Sequence, residues 1–174
     1  MERIAKFSKV SEQRWEKDWN GTFEGTDVPV GQAAALYREL KLPKRATAGS
    51  AGYDFYTPID IHLEPGQSAK IPTGVRAEMN EGWVLLIVPR SSLGFKYKLE
   101  LNNTVGVIDS DYFYSDNEGH IFIKIINSNP EGKAVDIRAG QAFAQGIFVM
   151  YGITEDDDSA GERNGGFGST DSRA

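Results

Sequence analysis

From Leu42 onward the chain is written in short apolar or alternating runs separated by turn residues, and no other feature limits the fold as strongly. IDIHL, SAKIPTGVRAEM, GWVLLIVP, HIFIKIIN, AVDIRA and QAFAQGIFVMY follow one another, with PG, NEG, NPEG and AG as punctuation. Short runs at close spacing, with no helical period between them, predict an all-β sandwich or barrel and not a parallel sheet with crossover helices. At 174 residues the chain fits one domain that can bury roughly 70% of its extended-state surface.

The first forty residues have a different texture. Arg3 to Val10 alternates like a short strand. Ser11 is placed to cap a helix running through Trp19, in which Trp15 and Trp19 fall four apart on one face. Asn20 to Thr26, with two glycines, ends that helix. Asp27 and Pro29 open a second helical pattern, in which Ala33, Leu36, Tyr37 and Leu40 keep helical spacing until Pro43 forbids continuation. Residues 11–41 thus predict a helical insert between a first strand and the main domain, with the two tryptophans pinning it and not holding a cofactor. Beyond Tyr151 the chain turns polar and glycine-rich, which predicts a body over 1–152 and a flexible arm over 153–174. Asp156 to Asp158 reads as a solvated acidic run.

Nineteen Lys and Arg against 25 Asp and Glu give a formal net charge of −6. That balance argues against a general nucleic-acid or membrane-surface binder, while leaving room for local basic loops that hold a small anion. There is no cysteine, so disulfides, thiolate catalysis and Cys-based zinc sites are excluded. His62 and His120 are too few and too far apart to suggest a zinc centre or a Ser-His pair. No run approaches the roughly 20 apolar residues of a membrane span, and MERIAKFSKV lacks a signal-peptide core, so the cytoplasm is the expected location.

Leu101 to Tyr114, LNNTVGVIDSDYFY, puts Val105, Val107 and Ile108 in a short strand softened by Gly106 and delivers Asp109, Asp111 and Tyr112 to one small region. A carboxylate beside an aromatic can position a water and cover a flat ring, although Asp-Ser-Asp after a strand is most often a polar turn. Four more stretches have the composition of ligand-contacting loops: SAGYDFY (50–56), PRSSLGFK (89–96), RAGQAFAQG (138–146) and RNGGFGST (163–170). In order and wording, these stretches with GVIDSDY resemble the five motifs of the homotrimeric dUTP pyrophosphatases, the dUTPase family. The resemblance covers the chain from about Leu42 to its end, and it selects a distorted jelly roll.

The resemblance implies hydrolysis of dUTP to dUMP and pyrophosphate by water attack on the α-phosphorus, with magnesium as cofactor. It implies a homotrimer with shared sites. Such an activity limits uracil incorporation into DNA and supplies dUMP for dTMP synthesis. Arg90 offers a planar fork to phosphate oxygens, Ser91 and Ser92 offer hydroxyl and backbone donors, and Gly94 lets the backbone approach closely. Gln145 offers an amide to a phosphate, and Asp54 a carboxylate to the water shell of a magnesium held mainly by the triphosphate. Asp109 corresponds to the family's general base. Asn103 with the backbone around Gly106, Val107 and Ile108 would read the uracil edge without room for a 5-methyl group, and Tyr112 would lie under the deoxyribose and exclude a 2′-hydroxyl. In the arm, Phe167 would stack on the base while Arg163, Ser169 and Thr170 meet the terminal phosphate and Gly165, Gly166 and Gly168 give the arm its pliancy.

Departures from the family pattern are visible. Gln141 and Ala142 stand where an acidic residue and Arg are usual, which questions the salt links of that turn. Arg163 is one residue closer to the glycine pair than usual, and Asp171 replaces the usual glycine. FYSDNE separates Tyr112 from Gly119, predicting an extended hairpin or loop beside the site within reach of a neighbouring subunit. Three alternatives stand beside this reading, and the blandest, a sandwich domain without catalysis, would make five phosphate-friendly loops a coincidence. A dCTP deaminase shares the fold but needs a carboxylate where HIFIKIIN has Lys124. A binding or regulatory protein would use the insert and the 113–118 loop to contact a protein partner.

Overall fold

The computed structural model describes residues 2–26, 28, 30–159 and 161. In chain order its strands are β1 (Ala5–Lys9), β2 (Lys44–Arg45), β3 (Tyr53–Tyr56), β4 (Ile61–Leu63), β5 (Ser68–Pro72), β6 (Val75–Met79), β7 (Trp83–Pro89), β8 (Leu99–Leu101), β9 (Gly106–Ile108), β10 (Phe122–Asn127), β11 (Val135–Ile137) and β12 (Ala142–Met150). The helices are α1 (Glu12–Phe23), α2 (Ala33–Glu39) and α3 (Ser91–Tyr97), with tight 3-10 turns at Val30–Gln32 and Ser110–Tyr114. The expected all-β fold with a small helical part is what forms.

Strand alternation builds the core. In β10, Ile123, Ile125 and Asn127 turn inward while Lys124 faces out, as the two-residue period of a half-buried strand requires. Four antiparallel groups, β2-β3-β12-β7-β9, β5-β10-β8, β1-β6 and β4-β11, surround one apolar cluster. Phe55, Ile71, Ala77, Leu85, Leu99, Ile125, Val135 and Phe143 all belong to it. Full burial of each large member contributes about 1.5–3 kcal/mol before the cost of ordering it.

The run SAKIPTGVRAEM does not stay one strand. It divides at Thr73–Gly74 into β5 and β6, which join different sheets. Gly74 has φ +69°, and a Cβ there would run into Leu40 and meet Trp15 Cε3 at 3.2 Å. Thr73 fixes the corner: its hydroxyl donates to the Ile121 carbonyl at 2.6 Å and accepts from the Val75 N–H at 3.1 Å.

The helical insert forms its own apolar cluster around Val10, Trp15, Trp19 and Ala33. The Ser11 hydroxyl accepts from the Arg14 N–H at 3.1 Å, capping α1 as its sequence predicts. Trp15 Nε1–H donates to the Ala33 carbonyl at 2.7 Å and the Tyr37 hydroxyl to the Val10 carbonyl at 2.7 Å, tying α1, α2 and β1 together. The helix passes through Asn20 and Gly21, where the sequence predicts a break, and ends after Phe23. Phe23 lies four residues beyond Trp19 on the same stripe, their rings 4.5 Å apart. An interior glycine costs about 1 kcal/mol, less than the burial of an aromatic returns. Asp27 and Pro29 lie outside the described residues, and α2 proper begins at Ala33.

His120 joins the insert to the sheets. Its ring is fully buried. The Gly74 N–H points at Nε2 at 2.8 Å, so that nitrogen accepts; the proton therefore sits on Nδ1, 2.6 Å from Asp18 Oδ2 of α1. Burial pushes the imidazole pKa below its ordinary 6.5, against the pull of Asp18. Asp18, Arg14 and Glu118 are the charged groups acting on it. Below pH 6.5 the unfolded chain takes up a proton that the folded chain refuses, so stability should fall on acidification, with a limiting slope of about 1.4 kcal/mol per pH unit. His62 acts oppositely: Asp136 and Glu64 raise its pKa, so its contribution is present below 6.5 and lost as pH rises. It is 57% exposed, and salt screens it. Melting curves at high salt should therefore show a fall in Tm from pH about 7.5 to about 5.5, and the fall should persist in His62→Gln. A flat profile in that variant would remove this role of His120.

Candidate active site

Three neighbouring strands bring three of the motif stretches to one place. Gln145 on β12 lies opposite Asp54 on β3 and opposite Val88 on β7, just before Pro89 and Arg90. Arg90 Nε reaches Asp54 Oδ1 at 3.1 Å. Both side chains are partly exposed, so the pair orients the guanidinium more than it stabilises the fold. The Gln145 amide donates to the Pro89 carbonyl at 3.2 Å. Gly52 makes room for it, since a Cβ at 52 would lie 2.5 Å from Gln145 Oε1. A fork, a carboxylate and an amide thus converge where β3 and β12 run past the end of β7.

Beyond Pro89 the chain forms α3, a seven-residue helix where the sequence suggests only a loop. Leu93 and Tyr97, four apart, pack one side of it against the core. Ser91 and Ser92 are exposed on its first turn. Gly94 has no internal need to be glycine, because the nearest atom to a Cβ there is 3.9 Å away. The space beside it is open to something outside the chain's own fold. Phe95 is 94% exposed on the same helix.

Strands β8 and β9 belong to different sheets, and the turn between them presents Asn103 exposed. The turn is closed by Thr104 N–H to the Leu101 carbonyl at 3.0 Å and Val105 N–H to the Asn103 carbonyl at 2.7 Å. Thr104 sits at φ +67°, an uncommon place for a β-branched residue. Gly106 faces Ile87 of β7, and a Cβ would lie 3.1 Å from that side chain. Val107 is exposed and Ile108 buried. Asp109 follows in extended conformation, half-buried, and its carbonyl accepts from the Tyr112 N–H at 3.2 Å.

Tyr112 is 4% exposed. Its hydroxyl donates to the His120 carbonyl at 2.7 Å and accepts from Asn117 Nδ2 at 2.7 Å. The six residues FYSDNE make a folded-back turn and not an extended hairpin. Gly119 returns beside its starting point, so close that a Cβ would stand 2.7 Å from Phe113 Cα. Glu118 and Gly119 take φ +60° and +69°, and the His120 N–H closes the turn on the Asn117 carbonyl at 3.1 Å. The Glu118 carboxylate then accepts from the Ser11 N–H at 2.8 Å and the Ser11 hydroxyl at 2.7 Å, and Arg14 donates to the Asp116 carbonyl at 2.6 Å. The turn at 113–119 and the start of α1 are therefore packed on each other.

Two features escape local pattern reading. Where Gln141 and Ala142 cast doubt on the bracing of the motif-four turn, Asp60 supplies it, accepting from Arg138 Nη1 at 3.0 Å and the Ala139 N–H at 2.8 Å. The Asp18–His120 pair is the other. Only their chemistry could have pointed to them: an Asp beside a strand start and a lone His in an apolar run.

Asp109 and Arg90 do not meet. Strand β9 runs back along β7, with Gly106 opposite Ile87 and Ile108 opposite Leu85. Asp109 and Arg90 consequently lie toward opposite ends of β7, separated by about 20 Å at the usual rise of a strand. Lys124 is exposed on β10 opposite Lys70. Arg163, Phe167, Gly168, Ser169 and Thr170 lie outside the described residues. Among the described residues no three His, Cys, Asp or Glu side chains gather as ion ligands, and no described helix is long and apolar enough to cross a membrane.

Comparison with known proteins bears on this arrangement. Residues 38–171 match the dUTPase family. The deoxyuridine 5'-triphosphate nucleotidohydrolase of Lactococcus lactis subsp. lactis is 42% identical over 134 residues, 75% of this chain and 88% of that protein. The crystal structure of the dUTPase from Streptococcus mutans, 41% identical, superposes with a TM-score of 0.59 over 67% of this chain and 91% of that one. A dUTPase variant from phage phi11 of S. aureus, described as coordinating a structural Mg(II) ion, superposes with a TM-score of 0.61 over 91% of this chain and 98% of that one. At 21% identity the phage likeness concerns the fold alone.

Proposed function

The chain belongs to the dUTPase family and is a dUTP diphosphatase, and from that premise we propose that it hydrolyses dUTP to dUMP and pyrophosphate through a water activated by Asp109. The convergence of Asp54, Arg90 and Gln145 where β3 and β12 run past the end of β7 carries the proposal. Arg90 grips the phosphates as a planar fork, with Ser91, Ser92 and Gln145 adding donors. Gly94 leaves the backbone approachable. The Asp109 carboxylate accepts a proton from a water whose oxygen forms the new bond to the α-phosphorus; the bond to the bridging oxygen breaks and pyrophosphate leaves with that electron pair. Asn103 and the backbone from Gly106 to Ile108 read the uracil edge, and Tyr112 lies under the deoxyribose.

Magnesium, when bound to the triphosphate, neutralises its charge. Asp54 fits an outer role toward that ion: it is a single hard oxygen donor, partly exposed and already paired with Arg90. The phi11 protein's Mg(II) ion supports a metal in such folds. The body over 1–152 carries these groups, and the arm over 153–174 closes on the nucleotide through Arg163, Phe167, Gly168, Ser169 and Thr170. The cellular consequence is a lower dUTP level, less uracil in DNA and a supply of dUMP for dTMP synthesis, in the cytoplasm.

A base and a phosphate clamp that serve one triphosphate must lie within a few ångströms of successive phosphate groups. The separation of Asp109 from Arg90 along β7 therefore favours sites built between copies of the chain. Heterologous contacts of this kind close into rings, and the homotrimer is the ring we propose. The exposure of Phe95 at 94% and Ile153 at 75% supports covered surfaces in such a ring.

Pyrophosphate release from dUTP, dCTP, dTTP and UTP, with magnesium and with chelator, tests the reading. Rapid release from dUTP alone, lost on chelation, is expected. Ammonia from dCTP would make the chain a deaminase, and tight dUTP binding without cleavage would make it a regulatory relative.

A further inference from the structure

The helical insert reaches the proposed site through one buried residue. His120 is contacted from three separate elements: Asp18 of α1 at Nδ1, the β5–β6 corner at Nε2 through the Gly74 N–H, and the turn after Asp109 at its carbonyl, through the Tyr112 hydroxyl. The two ring nitrogens have different partners, an acceptor on one side and a donor on the other, so only one tautomer and one ring orientation satisfy both. The Tyr112 hydroxyl is likewise used in both senses, giving its proton to His120 and receiving one from Asn117. A fully satisfied buried network of this kind fixes its members more tightly than apolar packing would. Asp18 therefore helps decide where the Tyr112 ring lies, although it belongs to an element 102 residues away from His120 in sequence.

We propose that His120 is a positioning residue for Tyr112, and that Asp18 of the helical insert, acting through it, sets how strictly the enzyme rejects a 2′-hydroxyl. The proposal rests on Tyr112 facing the sugar, as stated above. A Tyr112 ring held firmly against the deoxyribose leaves no room for an added hydroxyl. If the His120 carbonyl shifts, the ring can yield, and UTP is admitted while dUTP, which needs no extra space, turns over nearly as before. The insert thereby has a catalytic consequence without touching the nucleotide.

The readout is the ratio of kcat/KM for dUTP to that for UTP, which a loss of overall stability lowers for neither substrate selectively. Asp18→Ala should reduce the ratio about fivefold, the factor of one typical hydrogen bond, while Asp18→Asn, which can still accept from Nδ1–H, should restore most of it. Tyr112→Phe keeps the ring but loses the link to His120 and should lower the ratio similarly. Combining Asp18→Ala with Tyr112→Phe should then give no further loss, because both act on one path. Glu118→Gln loosens the insert at Ser11 without altering the His120 contacts, and it should reduce Tm while keeping the ratio. Folded Asp18→Ala with an unchanged ratio, or additive losses in the double variant, overturns the proposal. Tyr112→Leu separates the two layers of inference: if removing the aromatic ring leaves the ratio intact, the sugar-facing assignment fails; if that ratio collapses while Asp18→Ala is silent, only the coupling through His120 fails.

Discussion

Asp109→Asn is expected to lower kcat for dUTP by about 10²–10⁴-fold, the usual worth of a general base, while the affinity for a non-hydrolysable dUTP analogue changes little. The substitution keeps the size and the hydrogen-bonding oxygen but removes the basicity that a proton-accepting group needs. Arg90 and Gln145 lie apart from residue 109, and a side-chain change there leaves the uracil-facing main chain of Gly106 to Ile108 intact, so binding should survive. Single-turnover measurements would separate the two quantities, since KM equals Kd only when chemistry is slow. Turnover that stays near wild type in this variant would end the Asp109 mechanism. A parallel loss of binding would show instead that the carboxylate holds the nucleotide.

Much of the strand layout could be read because alternation survives wherever one face is buried. In β10 the inward Ile123 and Ile125 and the outward Lys124 leave no other register. The tryptophan pair of α1 was equally legible, since a strand would put polar Lys17 on the face shared by Trp15 and Trp19, whereas a helix keeps the pair together without it. Helix α3 was not. Its apolar signal is one pair, Leu93 and Tyr97, inside a segment that also carries Pro89 and Gly94, and one turn of periodicity cannot outweigh two breakers. The corner at Thr73–Gly74 was hidden for another reason. A strand pattern records which side chains face the core, not which sheet supplies the hydrogen bonds, and Gly74 is required there by Leu40 and Trp15 from the distant insert.

The site divides in the same way. Residue types suited to phosphate or to its magnesium could be picked out one by one, and three of them, Asp54, Arg90 and Gln145, do come together. The anchoring of the loop after Tyr112 could not be foreseen. Three residues after the capping Ser11 stands Arg14, so the local capping-box signature with Glu or Gln is missing. Its place is taken by Glu118, 107 residues away. Long-range hydrogen bonds between exposed polar residues leave no periodic trace, and this explains why the helical segment and the 113–118 turn look unrelated in sequence while being packed together in the fold.

The separation of Asp109 from Arg90 along β7 leads to a result that neither variant alone could give. Asp109→Asn and Arg90→Ala should each be nearly inactive as pure proteins. Mixed by co-expression or by refolding together, they should regain about one quarter of wild-type activity, the product of two independent halves for sites that draw Asp109 from one copy and Arg90 from its neighbour. Nothing but sharing between copies restores a site from two defective chains, because each chain lacks a group that no added ligand supplies. A second mixture controls the reasoning: Arg90→Ala with Gln145→Ala should stay inactive, since Arg90 and Gln145 belong to one end of the same sheet and no mixed ring holds both intact beside each other. Failure of the first mixture, with rings shown to exchange subunits, would place the whole reaction within one chain. The β7 geometry would then require a large movement of β9 away from β7, measurable as a change in amide exchange at Gly106 to Ile108 on dUTP-analogue binding.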